Sequence, residues 1–111
     1  MDKSPSRNKE LIVEFLHHQR AIRKLAFFSL KSYNIDLLQF IKYLDCNYKS
    51  KLLLNIDKEV IRNYLIVLDK KNYSSKTIAR KVASLKSLYK FLNQQNIISI
   101  NPLMDIRIPK V

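Results

Sequence analysis

Glycine is absent from all 111 residues of this chain. Without glycine, the tight two-residue turns that join antiparallel strands are costly, because their central residues need positive φ. An all-β fold of short hairpins is therefore disfavoured. The same absence removes phosphate-cradling glycine loops and the dinucleotide fingerprint. What the chain does contain is apolar residues recurring at helical spacing, on four successive stretches.

The strongest pattern lies in residues 74–92. Ile78, Val82, Leu85, Tyr89 and Leu92 fall on one stripe, at alternating spacings of four and three. Roughly opposite stand Lys76, Arg80, Ala83, Ser84, Ser87 and Lys90, placed at about 100° per residue. That second face carries cations, hydroxyls, one small residue and no acid. It suits a phosphate-lined groove, although a solvated surface helix shows the same charge pattern.

Earlier stretches follow the same rule. A first helix is expected over about residues 8–23, with Leu11, Phe15, His18, Ile22 and Leu25 inward. Arg20, Arg23 and Lys24 sit near its C-terminal end, where the helix dipole favours cations. A second helix is expected over about 27–44, burying Leu30, Tyr33, Leu37, Phe40, Ile41 and Leu44. Its outer side carries Phe28, Lys31, Ser32, Ile35, Gln39 and Lys42. After a loop over 45–56, Asp57 reads as an N-cap and Glu59 as a first-turn acid of a third helix, about 58–70. Val60, Ile61, Tyr64, Val67 and Leu68 form its core stripe. Ser74 or Ser75 caps the fourth helix, which runs to about Gln95. Asn72 and Asn96 stand where a left-handed helix cap usually takes glycine. Pro102 and Pro109 stop any further continuous helix, and the apolar tail residues are expected to cover the bundle. The expected fold is all-α, a compact bundle of four to five helices made of two packed helical hairpins.

Charge bounds the partners. Lysine and arginine outnumber acids to give +12 at pH 7, with an isoelectric point near 10.0, while 47% of residues are apolar. Such a chain is expected to fold and to meet a polyanion, nucleic acid first and an anionic membrane surface second. Cys46 is the lone cysteine, which fits a reducing cytoplasm. His17 and His18 are adjacent and point about 100° apart on a helix, with no second ligand cluster, so neither metal nor cofactor is expected. No apolar run is long enough to span a bilayer, and the polar first ten residues lack the apolar segment of a signal peptide.

Three motifs in register resemble one family. Residues 77–92, Thr-Ile-Ala-Arg-Lys-Val-Ala-Ser-Leu-Lys-Ser-Leu-Tyr-Lys-Phe-Leu, look like the last long helix of the core-binding domain of tyrosine recombinases, the phage integrase and Xer-type group. The tail carries Asn101-Pro102 and then Pro109-Lys110, similar to that family's connector into its catalytic domain. Upstream, Ser29, Tyr33, Asp36, Leu37 and Phe40 match its Thr-x-x-x-Tyr-x-x-Asp-Leu-x-x-Phe pattern. The resemblance covers about residues 10–110. It departs from the family at Ala26, where a serine cap is usual, at Asn34-Ile35, where a basic pair is usual, and in the turns, where glycines are usual. These departures imply a second helix that contacts DNA more weakly than in relatives, or reads a different site.

The resemblance implies a SAM-like domain of the integrase N-terminal type. Residues 1–8 would be a flexible arm, 9–100 the DNA-binding core, and 101–111 a connector toward a catalytic domain outside this chain. Such a domain grips one face of duplex DNA in a C-shaped clamp whose other jaw is the catalytic domain of the same polypeptide. Other recombinase protomers on the DNA are further expected partners. The implied contacts are Lys76, Thr77, Arg80, Lys81, Ser84 and Ser87 from the fourth helix and Lys31 and Ser32 from the second. Lys86 and Lys90 join as peripheral phosphate contacts. The family's chemistry uses a tyrosine nucleophile among arginine, lysine and histidine. Tyr33, Tyr43, Tyr48, Tyr64, Tyr73 and Tyr89 lack such surroundings in the sequence, so no catalytic residue is assigned and this chain alone is not expected to cut DNA. Two other readings compete. One is a helical protein-interaction module contacting through Phe28, Ile35 and Phe91, with its charge merely solvated. The other is a binder of anionic membranes, disfavoured because the apolar stripes have regular core spacing.

Overall fold

The computed structural model describes residues 4–22, 24, 27–49 and 51–107. Its four α-helices are α1 (Ser4–Ala21), α2 (Phe27–Asn47), α3 (Lys58–Lys70) and α4 (Ser75–Gln94), with a 3₁₀ turn at Leu53–Asn55. No strand occurs among the described residues, so the fold is all-α as expected. The chain divides into two compact units, Met1–Leu53 and Leu54–Val111.

In the first unit α1 packs against α2. Helix α1 starts at Ser4, inside the stretch expected to be an arm. Pro5 suits a first turn, because its missing N–H would be unpaired there and its φ is preset. The buried face of α1 is Asn8, Leu11, Ile12, Phe15 and Gln19. This corrects the expected stripe. Ile22 follows the last helical residue and is 69% exposed, whereas His18 keeps its expected inner place and is half-buried. Leu25, Arg23 and Ala26 lie outside the described residues. Helix α2 buries Asp36, Leu37, Phe40, Ile41, Tyr43 and Leu44. Aromatic rings lock this packing. Phe15 meets Tyr33 edge-on at 5.5 Å between centroids, and Phe40 stacks on Tyr43 at 6.1 Å. Asn8 ties the segment after α2 back to α1. Its Nδ2 donates to the Lys51 carbonyl at 3.0 Å, and its Oδ1 accepts from the Leu53 N–H at 2.8 Å.

In the second unit α3 packs against α4. Asp57 caps α3, its carboxylate accepting from the Val60 N–H at 3.2 Å, and the first-turn Glu59 pairs with Arg62 at 2.7 Å. Ser74 caps α4, accepting from the Thr77 N–H at 3.1 Å. Both helices end in the same device. After α3, the Tyr73 N–H donates to the Leu68 carbonyl and the Asn72 N–H to that of Asp69. After α4, Ile97 donates to Leu92 and Asn96 to Asn93. These are paired Schellman closures with asparagine at the left-handed position, φ 62° at Asn72 and 59° at Asn96. Lys24 and Lys49 also adopt positive φ, 53° and 52°. Where other chains would place glycine, this one uses asparagine and lysine.

The tail folds back in short turns. Asn101 Oδ1 accepts from the Leu103 N–H at 2.9 Å, and Pro102, Leu103 and Ile106 are buried. Lys58 and Asp105 form an exposed ion pair at 3.2 Å. Residues 108–111, which include Pro109-Lys110 of the expected connector, lie outside the described residues.

Candidate nucleic-acid interface

Helix α4 contains no aspartate or glutamate along its whole length. It buries Ile78, Lys81, Val82, Ser84, Leu85, Leu88, Tyr89, Phe91 and Leu92. At about 100° per residue, that set covers roughly half the circumference, wider than the stripe expected from the sequence. The cause is Leu88 and Phe91. They extend the apolar arc sideways and carry the positions between them and the stripe out of solvent.

Two expected contacts fall inside that arc. Lys81 is 4% exposed, with its ammonium 5.2 Å from the centroid of the Tyr73 ring. Ser84 is 3% exposed, and its hydroxyl donates to the Arg80 carbonyl one turn back at 3.2 Å. Neither side chain is presented to a partner on this surface. Phe91, a contact residue of the protein-interaction reading, is buried too.

What faces solvent on α4 is a narrower strip. Lys76, Arg80 and Lys90 are exposed, and Thr77, Lys86 and Ser87 are half-buried. From Lys76 to Lys90 the strip runs about 21 Å along the axis. Ser74 and Thr77 are joined at its N-terminal end by a hydroxyl–hydroxyl bond of 3.0 Å. The exposed cations of α4 thus lie on one acid-free row.

On α2, Lys31 and Ser32 are exposed as expected. Phe28, Ile35 and Lys42 are exposed on the same face. Lys42 was absent from the expected contacts. Its spacing of eleven residues, three helical turns, from Lys31 is the signal that places it there.

Two of the tyrosines hold their phenol protons more tightly than a free phenol does. Tyr89 is fully buried, and burial pushes its phenol well above the ordinary value near 10. Burial likewise raises Tyr43, helped by its hydroxyl contact with Tyr48 at 3.4 Å. Among the described residues no group of three or more His, Cys, Asp or Glu is placed to hold a metal ion, and no helix is long and apolar enough to cross a membrane. A cleft of about 760 Å³ in the second unit is lined mainly by apolar residues, among them Leu54, Ile56, Ile97, Ile100, Pro102 and Met104.

Comparison with known proteins gives a consistent picture. The sequence profile described as phage integrase, N-terminal SAM-like domain matches residues 12–96. The chain is 40% identical over 101 residues to tyrosine recombinase XerD of Rickettsia bellii, covering 91% of this chain and 32% of that protein. It is 36% identical over 107 residues to tyrosine recombinase XerC of Syntrophus aciditrophicus, covering 91% and 34%. It is 33% identical over 97 residues to tyrosine recombinase XerD of Halalkalibacterium halodurans, covering 87% and 32%. The chain thus spans about a third of the length of the curated relatives it matches. No solved structure matches significantly.

Proposed function

The chain belongs to the phage integrase N-terminal SAM-like domain family, and from that premise we propose that it is the DNA-binding domain of a site-specific tyrosine recombinase, gripping duplex DNA in the major groove during integration and recombination. The observation that carries this is the exposed, acid-free strip of α4, with Lys76, Arg80 and Lys90, on a chain of net charge +12. Arg80 presents a planar fork suited to a guanine edge or a phosphate, and the lysines neutralise backbone phosphates as point charges. Ser87 lies between Lys76 and Arg80 around the axis, Lys86 and Thr77 contribute at the margins, and Lys31 and Ser32 add contacts from α2. Lys81 and Ser84 support the interface from inside the helix packing without touching DNA.

Strand cleavage belongs to a catalytic domain of the same polypeptide, which closes on the opposite face of the duplex. Further protomers assemble on the same DNA, in the cytoplasm. The protein-interaction reading is weaker, because burial withdraws one of its three contact residues, Phe91.

Salt titration of binding to duplex DNA tests the proposal. If phosphates are neutralised, affinity falls steeply, by orders of magnitude for six or more contacts, between about 50 and 200 mM salt. A flat response removes phosphate contact as the driving force and, with it, the proposed function.

A further inference from the structure

Helix α2 presents a mixed face that charge neutralisation does not explain. Phe28 is 78% exposed and Ile35 is 53% exposed. They lie within about 20° of each other around the axis and two turns apart along it. Lys31, Ser32 and Lys42 occupy the same face and are exposed. The only acids on the helix are Asp36, which is buried, and Asp45, near its C-terminal end. Phe27, itself exposed, meets Phe28 edge-to-face at 5.7 Å and 75°.

The arrangement selects among partners. Phe27 extends Phe28 and Leu38 lies one turn beyond Ile35, both exposed, but Lys31 and Ser32 stand between these two apolar groups and break the patch. A protein surface covering both would also desolvate Lys31 and Lys42. A DNA major groove supplies both chemistries at once. Its walls are phosphates, and the one apolar group on its floor is the thymine C5-methyl. The groove is about 12 Å wide and a helix with side chains about 10–12 Å across. Phe28 and Ile35 are about 10.5 Å apart along the axis, or about three base-pair steps.

We propose that Phe28 and Ile35 read thymine methyl groups in the major groove, so that α2 gives this chain a preference for A·T base pairs at two positions about three steps apart. This rests on the reading of the chain as a duplex-binding domain and adds a sequence preference that the lysines of α4 do not supply, because phosphate contacts are indifferent to sequence.

Replacing thymine by uracil deletes the methyl and leaves every hydrogen-bonding group in place. The test measures binding of the 111-residue chain to an all-A·T duplex of mixed order and to the same duplex with uracil for every thymine. The expected result is binding about five-fold or more weaker to the uracil duplex, since each buried methyl contributes on the order of a four-fold change. A chain carrying both Phe28→Ala and Ile35→Ala is expected to bind the two duplexes equally. Equal binding by the unsubstituted chain overturns the methyl reading and leaves the DNA-binding proposal standing. Retention of the thymine preference in the substituted chain also overturns it, placing the reader elsewhere. Absence of binding to any duplex at low salt removes both proposals together. The thymine–uracil comparison on the unsubstituted chain needs no folded variant, so it decides the matter even if the double substitution disturbs the helix.

Discussion

Lys81 points its ammonium at the ring of Tyr73, 5.2 Å from the centroid, while the rest of its side chain is buried along α4. A lysine on a basic helix is here a packing residue. Its aliphatic stem fills apolar space, and its charge rests on an aromatic face. Lys81→Ala is therefore expected to lower stability by about 1–2 kcal/mol through lost stem packing and the lost cation–ring contact. Affinity for duplex DNA, measured well below the melting temperature, should change less than two-fold. A large affinity loss with unchanged stability would place Lys81 at the interface after all.

Arg80 and Lys76 should behave differently from Lys81 and from each other. Arg80→Ala is expected to cost about 1–3 kcal/mol of binding and to relax preference at one base position, if its fork meets a base edge. Lys76→Ala should weaken all duplexes about equally and reduce the slope of log affinity against log salt by about one. Anisotropy titrations on two unrelated duplexes at several salt concentrations separate the two patterns.

The positive-φ positions offer a test of the missing glycines. Lys49 sits at φ 52° and Asn72 at φ 62°. A side chain with a Cβ is strained in that region by about 1–2 kcal/mol, less for asparagine, while glycine gives back about 0.5–1 kcal/mol as unfolded-state entropy. Lys49→Gly should therefore raise stability by about 0.5–1 kcal/mol. Asn72→Ala should lower it by about 1 kcal/mol, because alanine lacks asparagine's tolerance of that backbone. Chemical denaturation with unchanged m-values would register both.

Tyr89 makes the fold sensitive to alkali. Its phenol is fully buried, and burial raises its pKa above the ordinary value near 10. The folded chain then holds this proton where the unfolded chain releases it. Stability owed to the neutral phenol is fully present below about pH 10 and is lost as pH rises beyond it. The melting temperature should be insensitive to this group up to about pH 9 and should fall steeply above pH 10. Tyr89→Phe should flatten that fall, which melts recorded across the alkaline range would show.

Much of this architecture was legible before any coordinates. Asp57, Ser74, Asn72 and Asn96 declared the helix ends, because caps are local chemistry between residues three to five apart. The start of α1 was less visible. Asn8 looks like arm sequence, yet it is buried, with both ends of its amide spent on Lys51 and Leu53. No pattern along the chain links residues more than forty positions apart.

The site divides along the same line. The absence of acids from α4 and the helical period that sets Lys76 and Arg80 on one strip both follow from residue order, since a helix turns by a fixed angle per residue. How wide the buried arc would be does not follow from it. Leu88 and Phe91 could have stayed at the surface; tertiary packing buried them and took Lys81 and Ser84 with them. Periodicity orders the faces of a helix, but only the neighbours that cover it decide where its surface begins, because burial is a property of what packs against a residue and not of the residue itself.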